Sequence, residues 1–142
     1  MLFRSYGTDG TSWGGEIMVA TPVAFCRAAT FRPLPLVGGD RAIREPWRIG
    51  LALAMDAFDG ALPADIRALF RSVADAEYNA IHRLLTRRAI VPLARGVGRY
   101  FDAFGALFLG RVHASFEGQI ALEWNQAALK RYRHRLGAVL HA

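Results

Sequence analysis

Leu34-Pro35-Leu36-Val37-Gly38-Gly39-Asp40-Arg41-Ala42-Ile43-Arg44-Glu45-Pro46-Trp47-Arg48 is where this chain changes character. Before the Gly38-Gly39 pair the sequence is rich in glycine and proline and holds short β-prone stretches. After Asp40 the apolar residues Ile43, Trp47, Leu51, Ala54, Met55 and Phe58 recur every three to four positions, which places them on one helical face. Asp40 is a candidate N-cap. Pro46 interrupts the pattern, so the helix is expected to begin at Glu45 with Pro46 in its first turn and Gly60 as its stop. The expected class is α+β and mostly helical, with short N-terminal strands or a hairpin followed by four or five helices. We read 1–142 as a single partial domain, with a glycine-rich β/loop segment over 1–39 and a helical segment over 40–142.

Upstream of the junction, Glu16 to Ala20 and Ala29 to Leu36 are strand candidates. Pro33 and Pro35 assign the second to a sheet edge or an extended loop. Downstream, a helical region runs from Pro63 to about Arg87 with a break near Ser72, and another from Val97 to Leu109 between Gly96 and Gly110. A last helix is expected from Phe116 to His141, interrupted at Gly137. No internal repeat or low-complexity linker divides the chain. It opens on a glycine-rich motif and ends in a basic helix, so its boundaries read as those of a fragment.

The 142 residues are 53% hydrophobic and 21% charged, a composition that excludes disorder and suits one globular unit. The formal charge of +6 is carried by arginines spread from Arg4 to Arg135, with Lys130 the one lysine. Acids are interspersed among them, so no basic stripe tracks a phosphate backbone, and the reading does not favour nucleic acid. The single cysteine, Cys26, excludes an internal disulfide or a multi-cysteine zinc site and is expected to be a small buried residue. No secretory signal opens the chain, and no apolar run approaches the ~20 residues needed to cross a bilayer. These features predict a cytoplasmic protein without membrane partners.

Two tracts could carry chemistry. The first, Tyr6-Gly7-Thr8-Asp9-Gly10-Thr11-Ser12-Trp13-Gly14-Gly15-Glu16, combines glycines that let a backbone approach a ligand with Asp9 and Glu16, which could bind ribose hydroxyls, a metal-bound water or arginine. The second is Gly38-Gly39-Asp40 itself, since a Gly-Gly pair ahead of a helix presents backbone amides to an anionic group. On composition alone, the first is a structural hairpin before it is a ligand loop, and the second is a loop with an N-cap. The histidines His82, His113, His134 and His141 form no ligand pair at helical spacing and read as surface or packing residues. Asp56 and Asp59 read as helix-end solvation.

The order of blocks is more specific than any one of them. Tyr6-Gly7, Asp9-Gly10 and Trp13-Gly14-Gly15-Glu16 are followed by Arg32-Pro33-Leu34-Pro35-Leu36, Gly38-Gly39-Asp40 and Glu45-Pro46-Trp47-Arg48. Then come Gly98-Arg99-Tyr100-Phe101-Asp102-Ala103 and Ser115-Phe116-Glu117-Gly118-Gln119. In this order the chain resembles the C-terminal transferase domain of the hydrogenase-maturation carbamoyltransferases, the HypF family. The resemblance implies a partial lobe of an actin-like ATPase (ASKHA) fold, similar to the universal tRNA threonylcarbamoyl transferase. It implies that the full-length protein passes a carbamoyl group from carbamoyl-adenylate, made from carbamoyl phosphate and ATP, to the C-terminal cysteine of a partner maturation protein, on the way to the cyanide ligand of [NiFe]-hydrogenase. By the same resemblance, Gly14, Gly15, Glu16, Gly38, Gly39 and Asp40 are nucleotide-binding. Tyr6, Gly7, Asp9 and Gly10 form the active-site loop. Arg99, Phe101, Asp102, Glu117 and Gly118 are signature positions without an assigned role. Helix packing suits Phe101, and a buried ion pair suits Asp102.

The chain also departs from the family. A metal-binding aspartate is implied before the first tract, where Leu2 stands. The implied histidine ligands precede the chain, and a Gly-Gly-Val nucleotide loop and a terminal aspartate follow it. Acylphosphatase-like, zinc-finger and adenylate-forming domains are also outside it. No catalytic residue and no metal ligand is therefore assigned. ATP or carbamoyl-adenylate and a divalent metal are expected in the full-length family, and none is expected to bind tightly here. The expected partners are the remainder of the enzyme, if it is split, and the thiol-bearing maturation protein. The alternatives are a non-catalytic subunit of a split enzyme or a small basic helical nucleic-acid-binding protein, the latter resting on Lys130-Arg131-Tyr132-Arg133-His134-Arg135. Truncation is expected to leave apolar faces around Trp47, Phe58, Phe104 and Trp124 without partners.

Overall fold

Thr21 sets the first turn. Its N–H donates to Ala24 O at 2.7 Å and its hydroxyl accepts from the Ala24 N–H at 3.1 Å. This closes an antiparallel hairpin of β1 (Glu16–Ala20) and β2 (Phe25–Thr30). The register pairs Ala20 with Phe25 and Glu16 with Thr30, with a bulge between Ile17 and Met18. The strand expected over Ala29 to Leu36 is therefore corrected. The turn draws its start back to Phe25, and it ends at Thr30 because β1 offers no partner before Glu16. Leu34–Pro35 is a separate strand, β3. In this computed structural model the described residues are 6, 7 and 9–140, with side chains through Tyr132.

β3 pairs antiparallel with β4 (Leu93–Ala94), and Ser12 forms a parallel bridge to Ala94 on the other side. β4 lies between helices in a stretch where the sequence reading placed no element. The remaining elements are α1 (Arg41–Arg44), α2 (Trp47–Ala57), α3 (Ala64–Leu69), α4 (Asp75–Thr86), α5 (Val97–Leu109) and α6 (Gln119–Leu140). The architecture is α+β and mostly helical. The first expected helix is two pieces. Glu45, which precedes Pro46, takes φ −120° and ψ 70°, so the one-turn α1 ends there and α2 starts at Trp47 rather than Glu45. Asp40 holds the N-cap position of α1, but its side chain makes no capping hydrogen bond.

The break near Ser72 falls between α3 and α4, and α5 keeps the bounds read from sequence. Gly110 ends α5 in the left-handed conformation, φ 63°, with its N–H on Ala106 O. The interruption expected at Gly137 does not occur. α6 starts at Gln119 and passes through Gly137, because one glycine costs a helix only about 1 kcal/mol.

α2 is the centre of the packing. Trp47 and Leu51 join Val37, Phe70, Val73, Tyr78, Ile81 and Ala106 in one buried cluster. Ile49 joins Leu34, Leu36, Ala42, Ala94 and Ala103 in another. Trp47 lies against Phe70 and stacks on Tyr78 at a ring separation of 6.1 Å, so the expectation that it lacks partners is corrected. Phe58 and Phe104 remain partly exposed. Trp124 packs on Phe101, Phe104 and Phe108. Cys26, expected to be buried, is exposed, because it lies on a hairpin that no helix among the described residues covers.

Candidate functional site

Asp9 organises the glycine-rich loop. Its Oδ1 accepts from the Thr11 N–H at 3.1 Å, the Thr11 hydroxyl at 2.7 Å and Trp13 Nε1 at 2.9 Å, and its Oδ2 accepts from Arg27 Nη1 at 2.9 Å. Arg95 Nε stands 3.7 Å from the same oxygen, and the Arg27 guanidinium lies 4.6 Å above the Trp13 ring. The hydrogen bond from Trp13, followed by those from Thr11 and Arg27, holds the Asp9 carboxyl well below the usual carboxylate range. Of the partners open to Asp9 from sequence, the fold supplies arginine. Gly7 donates to Thr11 O at 2.9 Å, Gly10 donates to Gly7 O at 3.1 Å, and Tyr6 bridges to Ser12, so these active-site-loop candidates form one closed turn.

Glu16 folds back on the same loop. Its Oε2 accepts from the Gly14 N–H at 2.6 Å and the Gly15 N–H at 2.9 Å, while Oε1 accepts from the Thr30 hydroxyl at 3.3 Å. Burial pushes the Glu16 carboxyl up, but the two amides and Thr30 outweigh it and hold it below its ordinary value. Two adjacent loop amides thus already bind an anionic group. Gly15 is required by close approach, since a Cβ there would lie 2.3 Å from Arg95 O.

Residues 92–97, which sequence reasoning passed over, join the tracts. Leu36 N–H donates to Pro92 O at 2.8 Å, Ser12 N–H to Leu93 O at 2.8 Å, Arg95 N–H to Ser12 O at 2.8 Å and Val97 N–H to Gly14 O at 3.1 Å. Arg95 adds side-chain bonds to the Thr11 hydroxyl at 3.2 Å and Phe31 O at 2.9 Å. The Tyr6–Glu16 loop is thereby seated at the N-terminal end of α5. The available signal was the β-compatible apolar run Ala89-Ile90-Val91-Pro92-Leu93-Ala94 between two helices.

Gly38 and Gly39 adopt positive φ, 95° and 57°, in the turn into α1. Gly39 N–H donates to Leu36 O at 2.8 Å, and Arg41 N–H returns to Gly38 O at 3.1 Å. Beneath this turn Glu45 accepts from Arg41 and Arg48, each at 2.6 Å, and both arginines also reach Glu77. The two glycine-bearing tracts thus rest on different supports, and 92–97 is the segment bonded to both the Tyr6–Glu16 loop and Leu36.

Three of the signature positions, Arg99 and Asp102 on α5 and Glu117 in the loop before α6, form an ion-pair cluster. Arg99 Nη1 lies 2.9 Å from Asp102 Oδ2, and Arg99 Nη2 lies 3.1 Å from Glu117 Oε1. The first contact lacks hydrogen-bond alignment, and neither buried atom has a hydrogen-bond partner among the described residues. Burial raises the Asp102 carboxyl, Arg99 pulls it back, and Glu117 adds to the rise. Gly118, φ 83°, turns the chain into α6. Phe101 packs on Trp124 at 5.6 Å.

Among the described residues no group of three or more His, Cys, Asp or Glu could hold a metal ion. These residues do not fit a metal site. His82 stacks on Tyr78 at 6.4 Å. Leu2, Thr8, His141 and the side chain of His134 lie outside the described residues. An open groove lined by Leu109, Arg111, Glu123 and Lys130 lies at the opposite end of α5 from the glycine-rich loop. Among the described residues no helix is long and apolar enough to cross a membrane.

The sequence profile described as "Carbamoyltransferase, Kae1-like Domain, second subdomain" matches residues 5–140. The Carbamoyltransferase HypF of Rhizobium leguminosarum bv. viciae is 38% identical over 121 residues, which cover 85% of this chain and 15% of that protein. A crystal structure of full-length HypF in the phosphate- and nucleotide-bound form superposes with a TM-score of 0.71 at 32% identity, covering 84% of this chain and 15% of that one. The T. kodakarensis HypF structure, at 24% identity and a TM-score of 0.62 over 83% of this chain and 16% of its own, shares the fold. The chain therefore spans about 15% of the length of the first of these relatives.

Proposed function

The chain belongs to the HypF carbamoyltransferase family, and on that premise we propose that it is a nucleotide-site segment of a cytoplasmic carbamoyltransferase, inactive in isolation. In the full-length form, carbamoyl-adenylate supplies an activated carbamoyl group for transfer to the C-terminal cysteine of a partner protein in [NiFe]-hydrogenase maturation. This chain's share is binding and orientation. Gly14 and Gly15 offer amides to an anionic group at the mouth of α5. Glu16 sets the loop's shape and must leave those amides before a phosphate takes them. Asp9, clamped by Trp13, Thr11 and Arg27, holds the loop rigid. Gly38, Gly39 and Asp40 complete the nucleotide contacts from the α1 side.

The observation that carries this reading is the Glu16 carboxylate seated on the Gly14 and Gly15 amides, since the same donors suit a phosphate oxygen. Positioning a donor, a thiol and a nucleotide in near-attack geometry needs more than one wall of a site. The isolated chain is therefore expected to show no carbamoyl transfer. The test is titration of inorganic phosphate or ADP, followed through the Gly14 and Gly15 amide resonances. Glu16→Ala should respond at concentrations at least ten-fold lower than the unchanged chain. If neither protein shifts those amides with either ligand, the nucleotide role of this loop is lost.

A further inference from the structure

The Gly38–Gly39 turn takes its shape from α1, which is a single helical turn. Arg41 N–H donates to Gly38 O at 3.1 Å and Ala42 N–H to Gly39 O at 3.0 Å, so the glycine backbone is set only while α1 is formed. A helix this short is unstable by itself, because nucleation fixes several residues for one hydrogen bond. No side-chain bond caps it at Asp40. The Ala114 N–H reaches Arg44 O at 2.8 Å, but at the end of α1 away from the glycines. At the glycine end a polar tie comes from α4, where Glu77 Oε1 accepts from Arg41 Nη2 at 2.9 Å and also from Arg48 Nη2.

That tie has a fixed origin and a definite target. Glu77 precedes Tyr78, which is buried and stacks on Trp47 at 6.1 Å, so α4 delivers the carboxylate from a packed position. Arg48, only 4% exposed, lies directly under the turn, since a Cβ on Gly38 would stand 3.3 Å from its Nη1. Arg41 and Arg48 are matched by Glu45 and Glu77, so the four side chains carry no net charge and exert little pull of their own on an anion. Their contribution is shape.

We propose that Glu77 is a positioning residue for the nucleotide-facing turn: by holding Arg41 and Arg48 on one carboxylate oxygen, it sets the Gly38–Gly39 backbone from α4. This rests on the reading that Gly38, Gly39 and Asp40 contact the nucleotide. A preset turn binds more tightly because its ordering precedes the ligand.

The test is Glu77→Ala, read by amide hydrogen exchange in the free chain and by titration of ADP through the Gly38 and Gly39 amide resonances. Loss of the charged acceptor should speed exchange at Gly39, Arg41 and Ala42 at least about ten-fold and weaken the ADP response by a similar factor, with α5 amides unchanged. Ile81→Val, which loosens the same helix in the core away from the network, should leave the ADP response unchanged. Glu77→Gln keeps an oxygen acceptor and should recover most of it. Should Glu77→Ala fail to fold, Arg41→Ala breaks the same tie at a side chain 55% exposed and should loosen the same amides. If the unchanged chain responds to ADP at Gly38 and Gly39 and Glu77→Ala responds equally, the role of Glu77 is overturned and the nucleotide reading stands. If the unchanged chain shows no response there, the nucleotide role of the turn falls and the proposal falls with it.

Discussion

Helix α2 and the β1–β2 hairpin are both rich in apolar side chains, yet one is the centre of the core and the other stands in solvent. α2 meets α5, α4 and β3 on different sides, so Trp47, Ile49 and Leu51 are all buried. Among the described residues no helix covers the hairpin, so its valine, isoleucine and phenylalanine stay exposed. Hydrophobic composition states only that burial would be favourable. A neighbouring element decides whether it happens, and substitutions in the two regions should differ in cost accordingly.

The largest expected effect is at Trp47. Trp47→Ala removes a ring buried between Phe70 and Tyr78 and should cost about 3–5 kcal/mol in urea unfolding. A loss below about 1 kcal/mol would mean α2 is no better covered than the hairpin. Next, Gly105→Ala adds a Cβ that would lie 2.4 Å from the Ile120 side chain and 3.2 Å from its carbonyl, so α6 must shift from α5. About 1–3 kcal/mol is expected, read as lowered thermal stability and faster exchange of α6 amides.

The Glu45 cluster sharpens the comparison through pH. Burial pushes the Glu45 carboxyl up, but hydrogen bonds from Arg41 and Arg48 outweigh it and hold it below its ordinary value of 4.5. A carboxylate with a depressed folded pKa adds stability above its unfolded value and loses it as pH falls through the folded one. Glu45→Gln should therefore cost about 2 kcal/mol at neutral pH, with the gap to the unchanged chain closing on acidification below 4.5. A gap that widens on acidification would reverse the assigned sign. The smallest effect is in the hairpin. Ile17→Thr should change stability by no more than about 0.5 kcal/mol, and a loss matching that of Trp47→Ala would erase the difference between the two regions.

Much of the fold was legible because it was local. Gly96 and Gly110 bracket α5 as written, Glu16 to Ala20 is β1, and the gap near Ser72 separates α3 from α4. The errors were non-local. Whether the second strand began at Ala29 or Phe25 depended on register with β1, and whether Cys26 was buried depended on a covering layer that none of the described residues forms. At the candidate site, the glycine tracts were visible as motifs, while Arg95 and β4 were not. Their role comes from backbone bonds to residues some 80 positions earlier, exemplified by the Arg95 N–H to Ser12 O.

The chain's own letters determined its lineage, its helices and the loops able to face an anion, since spacing, glycines and ordered motifs act over short range. Only the tertiary structure decided that Asp9 is held by Arg27, that Glu16 occupies the Gly14 and Gly15 amides, and that the hairpin's faces are left open. Those outcomes depend on which distant surfaces meet, and contact free energy arises from the pair rather than from either segment.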